Sequence, residues 1–356
     1  MNINKEIIIV SPHLGNGGAE RVLSELIDFW TKVGCKVTII LTQANRFKND
    51  YSINYNAELI NISYNGFFRR IVQTYRLIKI LSKRKCSVVI SFINSAILLC
   101  GLASFFVKNK FIFSERCDPT KTPDTPIQRF VRNIMFTRAY RCVFQTEMAK
   151  SYFANRVRSK GVIIKNPLNQ NLPPLYTGVR KKVIVSFGRL SAQKNLSMLI
   201  IAFKEFYKNH KDYSLEIYGR GPDEQQLFDL VKKLNLSKSV CFKGFCQNIY
   251  DKIYNSCMYI STSNFEGISN SMLEALGMGL PTICTDCPVG GAKETIENNI
   301  NGILIPVKDV EALIRSMNKI ADDPEFSDFI SHRAYSIRKE LDIEKIGREW
   351  LCLINN

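Results

Sequence analysis

Glu6-Ile-Ile-Ile-Val-Ser11, then Gly15-Asn-Gly-Gly18, then Ala19–Lys32 with apolar residues at helical spacing, reads as strand, glycine turn and helix in immediate succession. The apolar run does not alternate with polar residues, which marks a parallel strand covered on both faces. Further short strands are expected at Lys36–Thr42, Ser87–Phe92, Phe111–Ser114, Cys142–Gln145 and Gly161–Ile164, with helical stretches between most of them. Strands that alternate with helices require crossover connections, and those are right-handed. The first half of the chain is therefore expected to be a doubly wound α/β domain.

Asn166-Pro167 and Pro173-Pro174 interrupt that pattern, and it then restarts. Strands are expected at Lys182–Phe187, Ser214–Tyr218, Val240–Phe242, Met258–Ser261, Pro281–Cys284 and Gly302–Ile305. Helices from about Leu196 to Asn209, Glu224 to Leu234, Ser269 to Met278 and Val310 to Ala321 fit between them. The fold expected is α/β, two Rossmann-like lobes with parallel sheets facing across a cleft. Residues 1–168 form the N-terminal domain, 169–181 a linker and 182–356 the C-terminal domain, whose last helix can cross back to the N-terminal lobe.

With 356 residues, 46% of them hydrophobic and 23% charged, the chain is long enough for two ordinary domains. No run reaches the eighteen or so apolar residues of a spanning helix, and Met1-Asn-Ile-Asn-Lys-Glu leads straight into a strand, so the chain reads as unsecreted and not integral to a membrane. Eleven cysteines, an odd number in apolar surroundings, read as reduced thiols. Cys284-Thr-Asp-Cys287 has CxxC spacing but no second pair follows, and with only His13, His210 and His332 present no metal site is expected.

Charge is distributed unevenly. Between Gly66 and Lys182, 23 lysines and arginines face only Glu115, Asp118, Asp124 and Glu147, a net +19 within a total of +17. Such a field concentrates anionic partners, whether phospholipid, nucleic acid or a phosphorylated substrate. No RNP1, zinc-finger or KH signature accompanies it, which speaks against nucleic acid. Residues 66–83 wind into an amphipathic helix, with Phe67, Phe68, Ile71, Tyr75, Ile78 and Leu81 on one face and Arg69, Arg76, Lys79 and Lys83 beside it. A helix of this kind suits an anionic membrane surface, although a helix that covers a sheet needs an apolar face as well.

Chemistry is expected in Ser263–Pro281, where a loop opens into a helix and Glu266 and Glu274 stand eight positions apart. Free N–H groups at the helix start form an anion site, with Glu266 in the loop before it and Glu274 about a turn and a half inside. Arg189 and Lys194 follow a strand and suit a diphosphate. Gly219-Arg-Gly-Pro222 and Lys243-Gly244-Phe245 close two further strands, the second leaving backbone on which a planar base can rest. The run Gly15–Gly18 lacks the later glycine of a dinucleotide fingerprint, which argues against an NAD enzyme. Each glycine also serves as an ordinary turn residue, and two acids near a helix start are ordinary surface features.

Taken in order, Gly17-Gly18-Ala-Glu-Arg, Gly188-Arg189 with Lys194, Gly219–Pro222, Lys243–Phe245, the Glu266 to Glu274 spacing and Asp286–Glu294 before Asn301-Gly302 resemble the family 4 glycosyltransferases, retaining enzymes of the GT-B fold. The resemblance implies that Arg189 and Lys194 bind the donor diphosphate, that Gly244 and Phe245 meet the nucleobase, and that Glu274 holds the ribose. It implies that Glu266 is the main acidic group at the donor sugar, that the amides of Gly267, Ile268, Ser269 and Asn270 bind sugar or phosphate oxygens, and that Gly17 and Gly18 close the site. It implies no bound metal or other cofactor. Many relatives carry a histidine where this chain reads Ser114-Glu115-Arg116, so Glu115 and Arg116 are the acceptor-side candidates, and Arg116 can grip a phosphate.

The expectation is a retaining glycosyltransferase that moves a hexose or N-acetylhexosamine from a nucleotide sugar, UDP-linked rather than GDP-linked, to a polyprenyl-diphosphate glycan. The setting is bacterial surface polysaccharide or oligosaccharide assembly, O-antigen or capsule, by a cytoplasmic protein peripheral on the inner face of the membrane. The rivals are a GT-B nucleotide-sugar epimerase and a non-enzymatic basic protein that binds anions or membranes.

Overall fold

The computed structural model describes residues 6–15, 17–43 and 57–355; the chain start before Glu6 and Asn16 of the first glycine run lie outside them. Two compact units divide the chain, one formed by Met1–Pro167 with Leu341–Asn356, the other by Leu168–Glu340.

In the first unit, β1 (Ile7–Ser11), β2 (Val37–Leu41), β3 (Glu58–Asn61), β4 (Val88–Ser91), β5 (Lys110–Ser114), β6 (Arg141–Phe144) and β7 (Gly161–Ile163) form one sheet in the order β3-β2-β1-β4-β5-β6-β7. Every pair is parallel, and Ile7, Ile8 and Ile9 of β1 stand opposite Val37, Thr38 and Ile39 on one side and Val88, Val89 and Ile90 on the other. All five residues of β1 are buried, as its unbroken apolar run requires. The edge strand β3 escapes a reading by hydrophobic runs because it is short, polar and mostly exposed.

Helices Arg69–Ser82, Asn94–Ala103 and Pro126–Thr137 pack side by side. Leu77 and Leu81, Ala96, Leu99 and Ala103, and Met135 and Phe136 join Ile8, Val10, Val89, Phe111 and Phe113 in one core cluster. The wide apolar stripe of helix Arg69–Ser82 is divided. Gln73, Leu77 and Leu81 face inward, so Leu81 belongs to the packed face, while Phe67, Phe68, Ile71 and Tyr75 stay exposed.

Helices Gly18–Lys32 and Ile343–Asn355 pack on one another within the same unit. The Trp350 ring is fully buried, edge-on to Trp30 with centroids 6.2 Å apart and 5.3 Å from Phe92. The last helix therefore builds the core of the unit that holds the start of the chain.

In the second unit, β8 (Lys181–Phe187), β9 (Ser214–Tyr218), β10 (Val240–Gly244), β11 (Ser256–Ser261), β12 (Thr282–Thr285) and β13 (Ile303–Ile305) form a parallel sheet in the order β10-β9-β8-β11-β12-β13. The stretch 169–181 is held to this unit, since Arg180 donates to the carbonyl of Gly279 (2.8 Å) and to Ser331 Oγ (2.9 Å). Strand order reverses between β8 and β11, the place where open α/β sheets leave a crevice beyond their carboxyl ends.

Backbone crowding at that edge leaves no room for side chains. A Cβ on Gly219, whose φ is +127°, would stand 1.9 Å from the carbonyl oxygen of Gly188, and the Gly219 amide donates to Gly244 (2.7 Å). Gly219→Ala is expected to destabilise the protein by about 3 kcal/mol from overlap and backbone strain. Trp350→Ala, which empties a ring-sized space, is expected to cost about 3–5 kcal/mol. Denaturant titration measures both, and a loss under 1 kcal/mol in either would contradict the corresponding packing.

Candidate active site

The crevice between β8 and β11 is built by two loops stitched together through polar groups. Asn195 adopts a left-handed conformation (φ 47°) at the head of helix Leu196–Asn209, which turns the loop after β8 back toward the sheet. Thr262 Oγ1 donates to the carbonyls of Lys194 and Asn195 (3.0 Å each). The Asn264 amide donates to the carbonyl of Gln193 (2.8 Å), and Gln193 Nε2 donates to that of Phe265 (3.0 Å). These bonds fix Lys194 opposite Glu266, with Nζ 2.6 Å from Oε1 and both side chains largely buried. Ser263 Oγ donates to the same carboxylate oxygen at 3.2 Å.

Glu266 is held from behind by the loop after β12. Its amide donates to the carbonyl of Pro288 (3.1 Å), and a Cβ on Gly291 would stand 1.9 Å from the carbonyl oxygen of Gly267, so that loop presses directly on the Glu266 turn. Helix Asn270–Gly277 follows, with Gly267, Ile268 and Ser269 buried at its head and Glu274 buried inside it. Tyr259, buried on β11, donates to Ser271 Oγ (2.9 Å), and burial holds its phenol well above the ordinary range.

Arg189 and Lys194 line one depression together with Ser186, Gly188, Tyr259 and Thr262. Arg189 and Lys194 thus share a depression at the switch point of the second sheet, with the Glu266 carboxylate joined to it through Lys194, an arrangement suited to a diphosphate beside a carboxylate. Gly244 ends β10, two strands away, with φ +65°, and Phe245 after it is half-exposed. Beside them Glu216 accepts from Tyr218 OH (2.6 Å) and pairs with Lys243 (2.9 Å). Cys284 and Cys287 are buried free thiols, and burial pushes Cys287 up to about 12. Among the described residues, no group of three His, Cys, Asp or Glu is placed to hold a metal ion.

The remaining candidates lie in the first unit. Gly17 caps helix Gly18–Lys32, and the Glu20 carboxylate folds over it, 3.8 Å from His13 Nδ1. Burial raises the pKa of Glu20, against the pull of its backbone hydrogen bond and of His13. Glu115 is turned inward. It accepts from Arg132 (2.8 Å) and from the amides of Arg116 (3.1 Å) and Cys117 (3.3 Å), while burial pushes its carboxyl up to about 7. Arg132 also donates to the carbonyls of Thr122 (2.6 Å) and Pro119 (3.0 Å), so the pair braces the loop after β5. Arg116 lies over the Phe92 ring, 4.3 Å from its centroid, at the carboxyl ends of β4 and β5. Burial lowers its pKa to about 9, which leaves it cationic at neutral pH.

Sequence reading did not single out the supporting groups. Gln193, Thr262 and Asn264 carry no chemistry of their own, and only the fold shows that they meet. His13, one of three histidines and two residues beyond a strand, is the one with a legible signal.

Residues 175–337 match the family described as "Glycosyl transferases group 1". The chain is 25% identical over 338 residues to an uncharacterized glycosyltransferase of Haemophilus influenzae, covering 94% of this chain and 95% of that one. It is 26% identical to the GalNAc-alpha-(1->4)-GalNAc-alpha-(1->3)-diNAcBac-PP-undecaprenol alpha-1,4-N-acetyl-D-galactosaminyltransferase of Campylobacter jejuni, covering 98% of each. Among solved structures, Anabaena HepE in complex with UDP and glucose superposes with a TM-score of 0.84 at 17% identity, over 99% of this chain and 100% of that one. The two parallel-sheet lobes are those of the GT-B fold, and this chain is a glycosyltransferase whose residues 175–337 match the group 1 family.

Proposed function

We propose that the protein transfers a hexose or N-acetylhexosamine from a UDP-linked donor to a polyprenyl-diphosphate glycan, with retention of anomeric configuration, as a family 4 enzyme that uses no metal. The observation that carries this reading is that Arg189 and Lys194 line one depression at the switch point of the second sheet while Lys194 pairs with Glu266. UDP in the Anabaena neighbour and a diphosphate-linked undecaprenol glycan in the name of the Campylobacter relative support the donor and acceptor classes. Cell-surface polysaccharide or oligosaccharide assembly, O-antigen or capsule, on the cytoplasmic face of the membrane, is the setting that follows.

The reaction needs a nucleoside diphosphate to depart while positive charge grows on the sugar ring. Arg189 and Lys194 neutralise the leaving diphosphate, the amides of Gly267 to Asn270 donate to its oxygens or to the sugar, and Glu266 stands by the ring. Because these donors are already fixed by the stitched loops, little reorganisation is left to the moment of reaction. Glu274 holds the ribose, and Gly244 and Phe245 meet the base. No side chain is assigned as a covalent nucleophile. Arg116, positioned by the Glu115–Arg132 brace, takes a phosphate of the acceptor.

Glu266→Gln is expected to lower transfer by at least about 100-fold while the UDP dissociation constant changes less than about threefold. Full turnover by the variant would reject the role given to Glu266. Arg116→Gln is expected to raise KM for a polyprenyl-diphosphate acceptor by about tenfold or more and to leave KM for the donor unchanged. Equal effects on both substrates would remove Arg116 from the acceptor side.

A further inference from the structure

The carboxylate of Glu266 is held at one oxygen only. Lys194 Nζ lies 2.6 Å from Oε1 and Ser263 Oγ donates to the same atom at 3.2 Å, whereas among the described residues no hydrogen bond or ion pair falls on Oε2. An ammonium on a flexible four-carbon stem is a point charge that attracts without fixing an angle, so the ion pair alone leaves the carboxylate free to turn. A hydroxyl donor is directional, and Ser263 supplies one.

Ser263 is itself fixed. It is 1% exposed, and its carbonyl accepts from Thr285 Oγ1 (2.6 Å), which pins the loop after β11 to the end of β12. Its Oγ stands 3.3 Å from that of Ser261, the buried last residue of β11, which lines the depression beside Arg189 and Lys194. Counting protons sets the direction of both bonds. A carboxylate only accepts, so the one Ser263 hydroxyl proton goes to Glu266, and the contact between the two serines is a bond that Ser261 donates. Hydroxyls aligned in one sense polarise one another, so the second bond strengthens the first. Thr262, between the two serines, bonds instead to the carbonyls of Lys194 and Asn195. The run Ser261-Thr262-Ser263 thus divides its work, the middle hydroxyl holding the loop that carries Lys194 and the outer two reaching the acid opposite it.

We infer that Ser261 and Ser263 are positioning residues for sugar transfer: their aligned hydroxyls fix the Glu266 carboxylate through Oε1 and leave Oε2 as the oxygen presented to the donor sugar. The inference rests on the role proposed for Glu266. Buried serines that only filled the wall of the depression would affect folding and ligand affinity alike, whereas serines that orient the acid affect turnover alone.

The test is steady-state kinetics of the full chain alongside UDP binding by calorimetry. UDP-glucose, UDP-galactose and their N-acetyl forms serve as donors and a polyprenyl-diphosphate N-acetylhexosamine as acceptor, with rates compared on the donor that the wild type turns over fastest. Ser263→Ala is expected to lower kcat by about tenfold or more, because the lost bond is to a charged group, with donor KM and the UDP dissociation constant each within about threefold of wild type. Ser261→Ala is expected to lower kcat by about threefold, and by nothing further once Ser263→Ala is present. Added to Glu266→Gln, Ser263→Ala is expected to cost less than about twofold, since the hydroxyl acts through the acid. Wild-type kcat in Ser263→Ala, its full loss repeated on top of Glu266→Gln, or a UDP affinity that falls as far as kcat would each overturn the inference. The two readings fail separately. Full turnover by Glu266→Gln removes the role given to Glu266, whereas an inactive Glu266→Gln beside a fully active Ser263→Ala removes the serines alone.

Discussion

The Lys194–Glu266 ion pair, 2.6 Å long and largely buried, is the contact around which the loops at the switch point of the second unit are arranged. Two opposite charges at that depth are stable only when geometry is held and each charge is compensated. Thr262, Asn264 and Gln193 supply the geometry by tying the loop after β8 to the loop after β11. The crowded glycines beneath let strand ends approach closely enough for those loops to meet. A site loaded with charge is thereby assembled before any ligand arrives, and an anion that enters beside Arg189 meets a preset field rather than a flexible one.

The first unit solves a different problem with similar means. Its loop after β5 is held by a buried Glu115–Arg132 pair that also gathers the carbonyls of Pro119 and Thr122. That brace costs a buried charge pair and fixes Arg116 on Phe92 at the edge of the sheet. Phe92 in turn contacts Trp350 of the last helix, so the end of the chain supports the floor beneath Arg116. Glu20 folds over Gly17 in the same economical way, placing the chain's own carboxylate at the head of a helix whose amides favour negative charge.

Much of this was legible in the sequence because buried parallel strands announce themselves. Runs such as Ile7–Val10 and Val183–Val185 admit few alternatives, and the restart after Pro173-Pro174 divides the sheets. The charge carriers Arg189, Lys194 and Glu266 were legible too, since loops after strands are where α/β sheets bind ligands. Three things were not. The polar edge strand Glu58–Asn61 has no hydrophobic signature. The split of the Arg69–Ser82 stripe into a packed and an exposed half depends on which neighbours arrive, which periodicity alone cannot say. The inward turn of Glu115 depends on Arg132, seventeen residues on, reaching back from another helix.

The central claim, that Lys194 is held in place to receive a diphosphate, is tested most directly by comparing UDP with uridine as ligands of the wild type and of Lys194→Gln by isothermal titration calorimetry. A charge-assisted contact to phosphate is worth about 10- to 100-fold in affinity, so the substitution should weaken UDP by that factor and leave uridine unchanged. Equal weakening of both ligands, or unaltered binding of UDP, would contradict the account.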